Sequence, residues 1–239
     1  MKATERAFDA ERWKELTNPD AAIAAREMIT LGFDGSRSED ATAIVATHIR
    51  TGHQWPIGIW ERPPRRQEWA APEEEVDAAM SYAFGQWKVW RLYADPYYWE
   101  SWLAVWAGRW GDKVIRWPTN RLTQMSHAVL NYASAIVSGD LSHDGSPTLA
   151  EHIGNAHRRA SNVRDGEGRP LWVLAKERSD SPHKIDAAMA AVLSWEARTD
   201  ALAAGVTGEP VAVLPIGESG LPEDMRRRPE FADIRRTNF

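Results

Sequence analysis

Cysteine is absent from the 239 residues. That excludes disulfides, thiolate metal sites and thiol nucleophiles, and it fits a reducing compartment. No apolar run is long enough to cross a bilayer, and residues 1–6 are not followed by the apolar stretch of a secretory leader. The expectation is a soluble, intracellular protein with no membrane partner. An excess of positive charge is also missing: 29 Lys and Arg against 34 Asp and Glu leave a net charge of -5. This excludes a general basic coat for nucleic acid, while a local basic groove around an acidic centre stays compatible with it. There is no GxxxxGK[ST] phosphate loop and no GxSxG nucleophile elbow. The seven histidines do not form a zinc-binding spacing.

Tryptophan, by contrast, is abundant, with thirteen residues, seven of them at positions 87–117. Their expected use is to pack helices against a sheet; stacking on bases would require exposed rings. Phe8, Trp13 and Leu16 recur at roughly helical spacing until Asn18-Pro19, so residues 1–27 read as an N-terminal linker or docking helix. Segments 28–34, 42–51 and 54–61 read as an antiparallel meander, with Pro56 marking the third strand as irregular or at an edge. Pro72 and three glutamates open a helix reaching about residue 84.

Strand 88–94, a helix from Pro96 carrying Leu103, Trp106 and Trp110, and strand 112–117 alternate as a parallel unit does. Helices at 121–137 and 147–157 follow. Next comes a hairpin of 157–163 with 171–175 around Asp165-Gly166-Glu167-Gly168. Ser181 and Pro182 read as the cap and first residue of a last helix. The chain from Ala204 onward is rich in Gly and Pro and ends with Arg226-Arg227-Arg228 near its terminus, so 201–239 reads as an extension of an α/β domain at 28–200.

Three aspartates stand at the edges of apolar segments. Asp34 closes the first strand, with Gly35-Ser36 letting the chain turn close to a ligand. Asp95 closes the strand at 88–94, and Asp186 lies near the start of the last helix. Each alone serves equally well as a turn or cap residue. Together, with neighbouring strands and a helix packed across them, they would place three carboxylates at one point. Such a cluster holds divalent metal against phosphate, and hard carboxylate oxygens match Mg2+ or Mn2+. Asp40 is an accessory candidate, and His183 is placed near Asp186 by the expected helix. Lys184, Arg37, Arg121 and Arg178 are candidate phosphate contacts.

The segments Leu31-Gly32-Phe33-Asp34-Gly35-Ser36, Asp40-Ala41-Thr42-Ala43-Ile44-Val45, Tyr93-Ala94-Asp95-Pro96 and His183-Lys184-Ile185-Asp186-Ala187-Ala188-Met189-Ala190 resemble, in order and placement, the C-terminal nuclease domain of tailed-phage terminase large subunits. The resemblance covers about residues 28–198. It implies a ribonuclease H-like mixed sheet flanked by helices. It also implies metal-dependent endonuclease cleavage of concatemeric double-stranded viral DNA during genome packaging in the host cytoplasm. Asp34, Asp95 and Asp186 would then be the catalytic metal ligands for a pair of Mg2+ or Mn2+ ions, with Asp40, His183 and Lys184 as accessories, and the hairpin would lie near the DNA face. Expected partners are double-stranded DNA, a terminase small subunit, a portal, and a packaging ATPase domain or subunit, whose phosphate loop these 239 residues lack. Another ribonuclease H-like nuclease or recombinase would use the same triad. A noncatalytic DNA-packaging assembly module would use the tryptophans and the basic tail, and a carbohydrate-active protein would need only two of the carboxylates.

Overall fold

The computed structural model describes residues 5–36, 40–63, 69–178 and 180–208. In chain order the strands are β1 (Glu5–Arg6), β2 (Met28–Gly35), β3 (Thr42–His48), β4 (His53–Trp60), β5 (Lys88–Ala94), β6 (Val114–Arg116), β7 (Ser142–His143), β8 (His157–Arg164) and β9 (Pro170–Ala175). The helices are α1 (Ala10–Glu15), α2 (Glu73–Gln86), α3 (Glu100–Trp110), α4 (Leu122–Ser138), α5 (Pro147–Asn155) and α6 (Asp186–Ala203). The main sheet runs β6-β5-β2-β3-β4-β7. β2 and β4 each pair antiparallel with the β3 strand between them, whereas β5 runs parallel to β2, and β6 parallel to β5. This is the mixed sheet flanked by helices that the sequence resemblance implied.

The meander arises from short connections and alternating side chains. Along β3, Ala43 and Val45 face one apolar core, while Ile44 and Ala46 face the other. The first core is closed by α1, α4, α5 and α6, the second by α2 and α3. The register of β3 against β4 shifts where Val45 meets Pro56, which lacks a ladder N–H. Trp99 and Trp106 are fully buried and lie edge-on to Phe33, at 5.1 and 5.2 Å between ring centroids. These tryptophans therefore work as packing groups.

Helix α6 lies across β2 at backbone distance. A Cβ on Gly32 would stand 2.0 Å from the Ala190 carbonyl oxygen. Buried polar side chains fix that crossing. Thr30 Oγ1 donates to the Ser194 carbonyl (2.7 Å), and Gln54 Nε2 donates to Thr47 Oγ1 (2.8 Å) and the Ala191 carbonyl (3.1 Å). Tyr132 from α4 donates to Gln54 Oε1 (2.8 Å), which completes the network. β1 and β9 flank β8 in a second, three-stranded sheet, and Val173 and Leu174 of β9 join the α6-side core.

Two expected helix starts are displaced. The third helix begins at Glu100 rather than Pro96, because Pro96 opens a turn in which Tyr98 takes a φ of +64°. The last helix begins at Asp186 rather than Pro182. The Ser181 hydroxyl accepts the His183 N–H (3.3 Å) in a local turn and caps no helix. Asp186 is therefore the first helical residue, and His183 lies outside the helix that was expected to bring the two together.

Candidate metal centre

The parallel pairing of β2 with β5 puts Phe33 opposite Ala94, and the Asp95 N–H donates to the Phe33 carbonyl at 3.1 Å. Asp34 and Asp95 thus leave the same end of two neighbouring strands. Asp186 arrives from the N-terminus of α6, which the close approach at Gly32 holds over β2. The charges meet. Burial, then the carboxylates of Asp186, Asp95 and Asp40, raise the Asp34 carboxyl well above its usual range. Burial, then Asp40, also raises Asp186, against the opposing effect of hydrogen bonds from backbone groups including Ala41.

Asp95 is held from two sides. Thr119 Oγ1 donates to Oδ2, and the Tyr97 N–H donates to Oδ1 at 3.3 Å. At Asp40, burial favours the neutral acid, but the ammonium groups of Lys176 and Lys184 outweigh it and hold the carboxyl below its usual range. Lys176 follows the last residue of β9, so the base of the hairpin adjoins the acidic cluster. His183 is exposed, and its described hydrogen bond is to Ser181. Arg178 lies 3.7 Å from Asp180, and Arg121 precedes α4 as its cap residue. Arg37 and the Arg226–Arg228 run lie outside the described residues.

The donor set fits a hard divalent cation. Asp186 Oδ2 is buried without a hydrogen-bond partner, and the neighbouring acids repel one another in a desolvated setting. A cation relieves both penalties, and oxygen-only ligands suit Mg2+ or Mn2+. Among the described residues no group of three or more His, Cys, Asp or Glu stands close enough together to hold a metal ion. Mutual repulsion acts over a longer reach than coordination bonds, so both observations hold together.

Two supporting residues carry no local sequence signal, Thr119 and His152. His152 is buried in α5. Its Nδ1 accepts the Ala187 N–H at 2.9 Å, so Nε2 is the protonated nitrogen and donates to Glu61 Oε1 at 3.0 Å. The residue before α6, Ile185, supplies no side-chain cap, and His152 satisfies one of the orphan N–H groups in its place. Asn155 adds a bond to the Lys184 carbonyl at 3.3 Å. His152→Ala would strand the Ala187 N–H, at a cost of about 1–3 kcal/mol. Thermal unfolding should show the loss and its partial recovery in His152→Asn, which retains an acceptor; unchanged melting of the alanine variant would refute the capping role.

No protein-family model matches the chain. It is 33% identical over 192 residues to the gene 13 protein of Mycobacterium phage L5, a match covering 76% of this chain and 31% of that relative. The match thus spans about a third of the relative's length. Among solved structures, the HK97 bacteriophage large terminase superposes with a TM-score of 0.61 at 16% identity, covering 80% of this chain and 43% of that one. The large terminase nuclease from thermophilic phage G20c with bound magnesium superposes at 0.57 and 14% identity, covering 81% and 98%. The chain is therefore a relative of the phage L5 gene 13 protein, with the mixed α/β fold of phage large-terminase nuclease domains.

Proposed function

We propose that the chain is a metal-dependent endonuclease that cuts concatemeric double-stranded viral DNA during genome packaging. The observation that carries this reading is that Asp34 and Asp95 leave the same end of a parallel strand pair while the charges of Asp95 and Asp186 bear on Asp34, together with an unpartnered Asp186 oxygen. The likeness to solved phage large terminases, one of them a nuclease with bound magnesium, supports it.

Asp34, Asp95 and Asp186 would hold a pair of Mg2+ or Mn2+ ions, with Asp40 beside them. Bound there, the ions supply positive charge to phosphoryl oxygens and acidify water. The protein's own part is positioning. Thr119 and the Tyr97 N–H fix the Asp95 carboxylate, and His152 steadies the start of α6 behind Asp186. Lys176 and Lys184 place two ammonium groups at the edge of the cluster, where a phosphate can share their charge with Asp40. Double-stranded DNA is the substrate in this reading. A small subunit, a portal and a packaging ATPase are its partners, and the host cytoplasm is its site of action. No described helix is long and apolar enough to cross a membrane.

The test compares supercoiled and linear duplex DNA with and without Mg2+ or Mn2+, alongside Asp95→Asn. Metal-dependent cutting that disappears in the variant is expected. Exclusive cutting of RNA–DNA hybrids or of branched DNA would move the assignment to another ribonuclease H-like nuclease or a recombinase. Failure of the purified protein to cut under either metal, with DNA binding intact in Asp95→Asn, would favour an assembly module.

A further inference from the structure

Two tyrosine rings that the proposed chemistry leaves unused lie close to Asp95 in sequence, at positions 97 and 98. Tyr97 and Tyr98 are 66% and 53% exposed, whereas the following residue, Trp99, is fully buried. Their ring centroids lie 4.0 Å apart at a tilt of 51°, and the Tyr97 hydroxyl donates to that of Tyr98 at 3.1 Å. Tyr98 takes a φ of +64°, a left-handed conformation that a bulky side chain adopts at a cost.

The turn that presents them is fastened at both ends. Before it, the Asp95 N–H bonds the Phe33 carbonyl at 3.1 Å. After it, the Trp99 N–H bonds the Pro96 carbonyl at 3.0 Å, and the Trp99 ring lies edge-on to Phe33. The Tyr97 N–H reaches back to Asp95 Oδ1, so the exposed rings and the carboxylate share one rigid support. Leaving two large rings in water on a strained backbone does nothing for the core. Rings fixed beside a phosphate-cutting centre can instead stack on a nucleotide, because every base offers a π-face.

We propose that the Tyr97–Tyr98 pair is a stacking platform for a nucleotide next to the cleaved phosphodiester, engaging a base that has left the duplex stack. The inference rests on the nuclease reading. It assigns the contact to the ring faces rather than to the hydroxyls, which already bond one another. It makes a locally opened step in duplex DNA the preferred substrate.

The test uses this chain carrying Asp34→Asn, which suppresses cutting during binding measurements. Fluorescence anisotropy is read with a labelled duplex and with the same duplex containing a short unpaired loop. Adding Tyr97→Ala and Tyr98→Ala should weaken binding of the looped duplex by about tenfold per ring, the scale of base–aromatic stacking. The paired change Tyr97→Phe and Tyr98→Phe should bind like the parent. Circular dichroism and melting confirm that each variant is folded.

Equal losses in the alanine and phenylalanine pairs would overturn the platform in favour of hydroxyl–phosphate contacts. Unchanged binding in the alanine pair would overturn it outright. The underlying nuclease reading is scored separately, by metal-dependent cutting with both tyrosines intact. Cutting together with unchanged binding in the alanine pair removes the platform alone. Absence of cutting and of DNA binding by the unsubstituted chain removes both.

Discussion

Asp34→Asn is expected to raise the melting temperature of the metal-free protein while abolishing cleavage. Asparagine keeps the shape of the side chain and removes the charge that burial and the Asp186, Asp95 and Asp40 carboxylates make unfavourable. The effect has a definite pH sign. Those causes raise the folded-state pKa above that of the unfolded chain, so the folded protein keeps a proton that the unfolded chain has already released. The stability tied to that proton is complete below the ordinary carboxylate range and is lost as pH rises through the raised folded value. The variant should therefore melt higher than the parent near neutrality and match it in acid. A gain of 1 kcal/mol in a protein of this size moves the midpoint by about 2–4 °C. Excess Mg2+ or Mn2+ should reverse the ranking, because a cation stabilises the state that binds it. Cleavage should fall by more than the ~10–100-fold that follows loss of a hydrogen-bond partner behind a metal ligand. Differential scanning fluorimetry in chelator from pH 4 to 8, repeated with metal, reads the stability arm. A variant that melts lower than the parent at neutral pH would contradict the repulsive cluster.

Such a trade of stability for charge is what a cluster of mutually repelling carboxylates predicts, and its members are unevenly legible in the sequence. β5 could be read to the residue because Lys88–Ala94 is a short apolar run closed by Asp95-Pro96, and β2 was visible for the same reason. That Asp34 and Asp95 adjoin follows from parallel pairing, which the strand–helix–strand alternation suggests only for β5 and β6. The sequence points to helix starts at Pro96 and Ser181-Pro182, whereas the helices begin at Glu100 and Asp186, because cap and turn chemistry use the same residues. Tyr98 and the Ser181 hydroxyl resolve each segment as a turn, and only the folded geometry shows it. His152 was legible as a helix residue, but its partners Ala187 and Glu61 are 35 and 91 positions away. Thr119 and Lys176 are likewise ordinary surface-type residues until the fold brings them to Asp95 and Asp40. The terminal β1 and β7 strands, of two residues each, are too short to leave a period.

The second large effect lies at Gly32, inside the motif that carries the sequence resemblance yet outside the chemistry. A methyl group there would stand 2.0 Å from the Ala190 carbonyl oxygen and 2.4 Å from the Ser194 nitrogen. Both are backbone atoms of α6, so no rotamer change relieves the clash. Carbon–oxygen contacts settle near ~3.3–3.6 Å, which requires the helix to retreat by more than about 1 Å. The retreat would pull Ser194 from Thr30 and Thr47, and Ala191 from Gln54, opening the buried network that locks α6 to three strands. Overpacking of this kind, with buried polar groups left unpaired, should cost Gly32→Ala about 3 kcal/mol or more, a fall of about 6–12 °C in melting temperature. The same displacement moves Asp186, the first residue of α6, relative to Asp34. A 1 Å misplacement of a reacting group can remove ~100-fold of rate, so cleavage should fall even at temperatures where the variant stays folded. Gly85→Ala supplies the contrast. It sits in α2 with open space at its Cβ and should gain about 0.5–1 kcal/mol from helix propensity with cutting unchanged. Measuring both variants by thermal unfolding and by single-turnover cleavage decides the matter. Parent-like stability and rate in Gly32→Ala would mean that α6 is not held against β2 as closely as the sheet–helix contact requires.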